Sequence, residues 1–445
     1  MNYIFRTSEL IGPVTPPPSK SLTHRALICN ALSGNTCNIE NPSLCDDCRL
    51  TGNAIGILTG TIRATSFGNP GAVLSGASAG PQDTVPVIDC GSSASTLRFL
   101  LPVASALGKT VTFTGSDGLS ARPLGPLISV MKSHGVVFSS DSLPLTVTGK
   151  LTPGFYSLPA DISSQYLSGL LFALPLLNGE STISLTGTKV SAAYTAMTLD
   201  LLSRFGIAVN VEHDGFTVPG GQHYRAGFRA FNPAGGSLLA TGFRPVYHIE
   251  PDWSAAAFWL TASAIGGFPV TCEGLSTESL QGDREVLDIF SNFGCFISDD
   301  DNGISLIPGY LTGSYVDVTN IPDLLPPLAV LAAFSRGRTD FSGTGRLRYK
   351  ETDRPLALQR LLASIGVSSD ITADGFTVYG GCSLSPSSEP VHVDSCGDHR
   401  IAMAAAIAAT VLPRPLVLHG AECVTKSYPE FYETYKMLGG KFELY

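Results

Sequence analysis

Charge is scarce in this chain. Asp, Glu, Lys and Arg make up 15% of its 445 residues, and basic residues are the fewer, 28 against 37, for a formal net charge of −9. A surface of that sign repels nucleic acid and anionic membranes, so neither is an expected partner. An anionic ligand would need cations gathered locally against the field of the whole chain. Long apolar runs are missing too. The longest, "IAMAAAIAATVL", stops at Pro413-Arg414-Pro415 and is too short to span a bilayer. The opening "MNYIFRTSEL" lacks a basic start followed by an apolar run, so no secretory signal is expected. Ten cysteines are scattered along the chain, and a protein of this size needs no disulfides. Reduced thiols in a cytoplasm are the expectation. Cys45 and Cys48 form one CxxC, but no second pair stands at zinc-finger spacing, which argues against structural zinc.

What is abundant is repetition. A chain this long exceeds one ordinary core, so two domains or a repeated architecture is expected. One pattern recurs: a small or acidic polar cluster, an apolar helix ending near Gly, a strand, a more polar helix, and a strand pair. Two copies are clearest. One runs from Ser163 through "SSQYLSGLLFALPLLNG" to the hairpin "IAVNVEHD–GFTVPGG". The other runs from Asp323 through "DLLPPLAVLAAFSRG" to "VSSDITAD–GFTVYGG". Similar openings stand at "SKSLTHRALICNALSG", "SSASTLRFLLPVASALG", "DWSAAAFWLTASAIGG" and "DHRIAMAAAIAATVL". Helices apolar nearly all round must be buried, so two domains of three units are expected, with helices inside and sheets outside. The first half opens its helices with Ser19 or Ser21, Ser92 and Ser163; the second half uses Asp252, Asp323 and Asp398.

The plain reading of those residues is N-capping. The functional reading is that buried helices aim their unpaired N–H groups at one place, favouring an anion there. Caps alone do not account for the basic residues beside them. Lys20 and Arg25 flank the first helix, Arg122 lies in "SARPLG", Arg354 in "KETDRP", Arg400 in "GDHRIAM" and Lys426 in "VTKSYPE". A solvated charge is the usual fate of any one of these, but six at equivalent places in different repeats suit phosphate or carboxylate. Ser21, Ser163, Ser164, Gln165, Ser191 and Tyr194 add groups that suit the hydroxyls of a polar metabolite. The densest segment is "GRLRYKETDRP", where Lys350, Glu351 and Arg354 are read as one helix start.

These motifs, together with "DCGSSASTLRFLLP", "ISSQYL", "IPDLLPPLAVLAAF" and "TKSYPEFY", resemble the 5-enolpyruvylshikimate-3-phosphate synthase family. The matches run in the family's order from near Pro17 to near Phe431. The resemblance implies a two-domain inside-out α/β barrel, each domain built of three βαβαββ units with buried helices and outer sheets, closing on substrate. One domain would be residues 19–247, the other 1–18 plus 248–445. The implied reaction moves the enolpyruvyl group of phosphoenolpyruvate to the 5-hydroxyl of 3-phosphoshikimate, releasing phosphate, on the route to chorismate and the aromatic amino acids. By resemblance, Lys20, Ser21, Arg25, Ser163, Ser164, Gln165, Ser191, Asp323 and Lys350 hold 3-phosphoshikimate, with Tyr194 a weaker member. Lys20, Ala94, Arg122, Gln165, Arg354, Arg400 and Lys426 lie around phosphoenolpyruvate. Adding an alcohol across the enol carbons and then eliminating phosphate needs proton transfer at two places, which two carboxylates can supply. Asp323 is read as the base at the hydroxyl and Glu351 as the group serving the methylene, with Lys20 also catalytic. Cationic surroundings would lower the pKa values of these carboxylates and desolvation would raise them; the sequence leaves the balance open. No metal or organic cofactor is required, and the family is typically a cytoplasmic monomer.

The chain departs from the family pattern at Pro18 and Ala94, where Gly is usual, and at Ser92, where Asn is usual. The Ala94 methyl is expected to project toward the phosphoenolpyruvate pocket, as in forms insensitive to glyphosate. Two rivals remain. A sibling enzyme that uses UDP-N-acetylglucosamine typically has a Cys before "ARP", absent from "GSDGLSARP" here. A non-catalytic phosphometabolite-binding repeat protein would have no use for Asp323 and Glu351. His399 reads as a satisfied helix-start histidine, and the roles of Asp46 and Asp47 stay open.

Overall fold

The computed structural model describes residues 1–60, 85–159, 163–187, 192–227, 244–382 and 384–445. It divides into two compact units, one of Met1–Ser19 with Glu250–Tyr445, the other of Lys20–Ile249. Mixed helices and sheets make up both. No helix among the described residues is long and apolar enough to cross a membrane.

Five four-stranded sheets repeat one arrangement among the described residues. In four of them a first strand runs parallel to the second, and the last two form an antiparallel hairpin against the second strand's other edge. Val87–Asp89, Val111–Thr114, Val136–Phe138 and Leu145–Gly149 are one such set. The parallel pair needs a crossover, and the buried helix Ala94–Ala106 supplies it. The two "GFTV" segments form hairpins, Asn210–Glu212 with Gly215–Val218 and Ser368–Ile371 with Gly375–Gly380.

The N-terminal segment explains why residues 1–19 belong with the second half of the chain. Asn2–Arg6 lies between Leu416–His419 and Lys441–Leu444, antiparallel to both, and completes the last sheet. Gly12–Val14 pairs parallel to Val270–Cys272 and opens the fourth unit. In the Lys20–Ile249 unit, Val246–His248 likewise pairs parallel to Asn38–Glu40 and stands as the opening strand of the first repeat.

The apolar helices are buried as their composition requires. Every residue from Trp253 to Ala264 is buried in Trp253–Gly266, as is every residue of His399–Ala409. Leu325–Phe334 is buried from Leu325 through Ala333. Full burial of each large apolar side chain contributes about 1.5–3 kcal/mol. Trp259 stacks on Phe431 with ring centroids 5.0 Å apart.

Three of the six helix starts are capped as read. Ser163 accepts from the Gln165 amide at 3.2 Å, Asp252 from Ala255 at 2.9 Å and Asp398 from Arg400 at 2.9 Å. Two readings change. Ser93, not Ser92, caps Ala94–Ala106, accepting from Thr96. Asp323 is not the N-cap residue: Leu324 holds that position before Leu325–Phe334 and gives no side-chain cap, while the Asp323 carboxylate meets Arg354, Arg400 and Lys350.

Helices Ala94–Ala106 and Ser164–Ala173 approach so closely that a Cβ added at Gly169 would collide with the Arg98 carbonyl. Gly169→Ala is therefore expected to lower unfolding free energy by about 1–3 kcal/mol. Urea denaturation checks this, and an unchanged midpoint would contradict the close approach.

Candidate active site

In the Met1–Ser19/Glu250–Tyr445 unit the charged residues converge on one guanidinium. Arg354, 1% exposed, is the first residue of helix Arg354–Ser364, which Asp353 caps. Its Nε donates to Asp398 Oδ2 at 2.8 Å, its Nη1 to Asp323 Oδ1 at 2.6 Å and its Nη2 to Glu351 Oε2 at 2.9 Å. Arg400 Nη2 reaches Asp323 Oδ2 at 3.1 Å, and Lys350 Nζ lies 3.5 Å from Asp323 Oδ1. Asp323 thus meets three cations. Burial works to raise its pKa, but Arg400, Lys350 and Arg354 outweigh burial and hold it well below the usual carboxylate range. Burial pushes the Lys350 amine down to about 8, against the attraction of Asp323. For Arg354, burial favours the neutral form, but Asp398, Glu351 and Asp323 prevail and keep it firmly charged.

Lys350 and Glu351 are not part of the following helix, as the sequence reading had them. A 3-10 segment spans Gly345–Tyr349, and Lys350–Asp353 form the bend before Arg354. Asp353 takes the capping position, so the helix cannot start earlier. Asp283, unremarked in the sequence reading, is a further buried carboxylate here. It accepts from Ser254 Oγ, and burial, reinforced by Asp323, raises it to about 7. Lys426 ends the 3-10 segment Ala421–Lys426 and is 6% exposed. His399 is buried as the first residue of its helix.

In the Lys20–Ile249 unit, Arg98 ties three pieces together. Its Nη1 donates to Gln165 Oε1 at 2.8 Å and to Ser163 Oγ at 3.5 Å; its Nη2 donates to the Pro123 carbonyl at 2.8 Å. Its guanidinium lies over the Tyr166 ring, 5.2 Å from the centroid. Gln165 Nε2 in turn donates to Ser95 Oγ at 2.9 Å. Arg98 therefore fixes the start of Ser164–Ala173 against the loop that carries Arg122. The sequence reading missed it, although a charge inside the apolar "TLRFLLP" was the available signal.

Lys20 begins helix Lys20–Leu32, and its Nζ pairs with Asp47 Oδ2 at 3.2 Å. The Thr51 and Thr96 hydroxyls, 2.6 Å apart, lie 3.3 and 3.4 Å from the Asp47 carbonyl, and Thr96 Oγ1 lies 2.8 Å from Ser93 Oγ. Arg25 is buried at 2% exposure and held at 2.8 Å from Thr198 Oγ1, 2.7 Å from the Ser21 carbonyl and 3.0 Å from the Tyr194 carbonyl. Burial lowers its pKa to about 10. Most of its donors thus serve the protein, and it links Ser21 to Tyr194. Ala94 is the first residue of its helix and is 5% exposed within the core. Ser164 is half-buried. Ser191 lies outside the described residues.

A family model described as EPSP synthase (3-phosphoshikimate 1-carboxyvinyltransferase) matches residues 5–435. The 3-phosphoshikimate 1-carboxyvinyltransferase of Clostridium kluyveri is 39% identical over 100% of this chain and 99% of its own. The relative of the same name from Clostridium acetobutylicum is 36% identical over 97% of this chain and 96% of its own. An EPSP synthase structure from Acinetobacter baumannii superposes with TM-score 0.73 at 21% identity, covering 100% of this chain and 99% of that one. The enolpyruvyl transferase NikO from Streptomyces tendae does so with TM-score 0.69 at 16% identity, covering 99% and 98%. At such identities the two structures speak for the fold alone.

Asp398 both caps a helix and balances a buried cation. Asp398→Ala is expected to cost about 3–5 kcal/mol, because breaking a buried ion pair leaves its partner uncompensated. Chemical denaturation checks the loss; a change under about 1 kcal/mol, the worth of an exposed pair, would refute the burial argument.

Proposed function

The chain belongs to the EPSP synthase (3-phosphoshikimate 1-carboxyvinyltransferase) family, and on that premise we propose how its charged residues divide the work. The enzyme transfers the enolpyruvyl group of phosphoenolpyruvate to the 5-hydroxyl of 3-phosphoshikimate and releases phosphate. Asp323 carries the reading of the site. Its sequence position suggested the N-cap, yet Leu324 holds that position and the Asp323 carboxylate stands among Lys350, Arg354 and Arg400.

Asp323 accepts the proton of the substrate hydroxyl, and Glu351 gives a proton to the methylene carbon and later removes one. Lys350 and Lys20 hold the anionic acceptor and stabilise charge as it develops. Ser163, Ser164 and Gln165 bind the acceptor from a helix start that Arg98 orients, and Ser21, Arg25 and Ser191 complete that set. Arg122, Arg354, Arg400 and Lys426 clamp phosphoenolpyruvate, with Ala94 beside it. Two settings go with the proposal: a monomer, and a cytoplasm, which the ten unbridged cysteines suit. The domains are taken as 19–247 and 1–18 plus 248–445.

Phosphate release from the purified enzyme should require both phosphoenolpyruvate and 3-phosphoshikimate, and should not occur with UDP-N-acetylglucosamine in its place. Asp323→Asn and Glu351→Gln should each keep the fold by circular dichroism and lose about 10²–10⁴-fold in kcat, the scale of general acid–base catalysis. Near-normal turnover in either variant removes its role. Lys350 adds a pH signature. Its lowered pKa leaves the amine neutral above about 8, so kcat/KM for 3-phosphoshikimate should fall as pH rises through that value. Lys350→Arg should move that limb out of range; a limb that stays would assign it elsewhere. Ala94→Gly should sharpen inhibition by glyphosate, read as a lower inhibition constant against phosphoenolpyruvate.

A further inference from the structure

Within the Lys20–Ile249 unit a row of buried polar side chains has no part in the proposed reaction. His24 Nδ1 lies 2.7 Å from Thr51 Oγ1, Thr51 Oγ1 lies 2.6 Å from Thr96 Oγ1, and Thr96 Oγ1 lies 2.8 Å from Ser93 Oγ. His24 is 1% exposed and the three hydroxyl residues 0%. The row crosses three helices near their starts. His24 stands early in Lys20–Leu32 and Thr51 early in Asp46–Thr59, while Ser93 caps Ala94–Ala106 and Thr96 lies in its first turn. Those same starts carry Lys20, Asp47 and Ala94. Asp47 Oδ2 holds Lys20 Nζ at 3.2 Å, and the Asp47 carbonyl lies 3.3 and 3.4 Å from the Thr51 and Thr96 hydroxyls.

We propose that Thr51 and Thr96 are positioning residues: through the row from His24 to Ser93 they hold the helix starts bearing Lys20, Asp47 and Ala94 in the register that binds phosphoenolpyruvate. Packing alone does not call for hydroxyls there. The core of this unit is apolar, and Phe99 stands edge-on to His24 with ring centroids 6.3 Å apart. Valine has the shape of threonine, and replacing both members of a buried hydrogen bond by apolar groups of the same shape can be nearly neutral for stability. What a satisfied buried polar row supplies is a fixed geometry, because each bond constrains both partners and polarises the next. Each hydroxyl has one proton to give, so the row is directional and its links depend on one another. Loss of either threonine hydroxyl interrupts the path from the helix of Lys20 to the helix of Ala94. Neither threonine is exposed, so both act through the residues they place.

The effect on binding rests on the roles proposed for Lys20 and Ala94; the row itself does not. The test compares full-length Thr51→Val, Thr96→Val and their double variant with Thr51→Ser and Thr96→Ser. Circular dichroism and urea denaturation establish that each is folded under assay conditions. KM for phosphoenolpyruvate should rise about three- to tenfold in each Val variant, the scale of one hydrogen bond, with a smaller change in kcat. The double variant should rise no further than the larger single one, since the row is broken only once. The Ser variants keep the hydroxyl and should stay near wild type. An unchanged KM in the folded Val variants overturns the proposal. So do Val effects that multiply in the double variant, and a Ser effect as large as the Val effect, which would place the cause in the lost methyl. Should one Val variant fail to fold, the other carries the same test with its Ser control. Lys20→Met separates the underlying assignment: a wild-type KM for phosphoenolpyruvate there would remove the role of Lys20 whatever the threonines do.

Discussion

A guanidinium buried to 1% exposure cannot exist without compensation, and Arg354 obtains it from three carboxylates at once. An isolated charge at that depth would cost many kcal/mol, so the partners are a condition of folding as much as of chemistry. Each comes from a different piece of chain: Asp323 ahead of Leu325–Phe334, Glu351 from the bend before Arg354, and Asp398 from the cap of His399–Ala409. The planar fork admits them at fixed angles. Once Arg354 is placed, the entry points of three helices are fixed relative to one another.

The repeated unit explains how charges come to lie beside so apolar an interior. A helix buried on every face leaves no room for charge along its length, so polar residues collect at its ends. Those starts also carry unpaired N–H groups that caps only partly satisfy. The same logic operates in the other unit with a different residue. Arg98 sits inside Ala94–Ala106 yet sends its fork to Gln165, Ser163 and the Pro123 carbonyl, and an aromatic face covers its plane. In both units a largely buried arginine holds together segments that carry the proposed site residues.

Much of this was legible in the sequence, and the gaps have physical causes. The buried helices and the "GFTV" hairpins follow from hydrophobic period and turn residues, and the motifs point to the family directly. Helix boundaries were less secure. Adjacent serines at 92 and 93 are equally good caps by type, and only the backbone decides for Ser93. Lys350 and Glu351 look helical beside Arg354 until Asp353 competes for the cap and Pro355 takes the first turn. Asp323 reads like Asp252 and Asp398 in sequence, but its helix has no side-chain cap. The bonds from Arg25 to Ser21, Tyr194 and Thr198 were not legible, because two of those partners lie far along the chain. Arg98 and Asp283 escaped notice because long-range partners, invisible in one dimension, give them their meaning.

The depressed pKa of Asp323 sits awkwardly with its assignment as a proton acceptor, and the charge count around it resolves the conflict. In direct ion pairs Lys350, Arg354 and Arg400 meet Asp323, Glu351 and Asp398, three cations to three carboxylates, with Asp283 a further buried acid beside them. Phosphorylated substrates bring further negative charge to a balanced set. The least costly way to restore balance is for a carboxylate to take up a proton. On the role proposed for Asp323, bound substrate would raise its proton affinity when the hydroxyl needs an acceptor. In the proposed role, a carboxylate kept ionised by its own cations would become a competent base only when substrate claims those cations. On that proposal, the ion pairs that hold Asp323 ionised would also tie proton transfer to substrate binding.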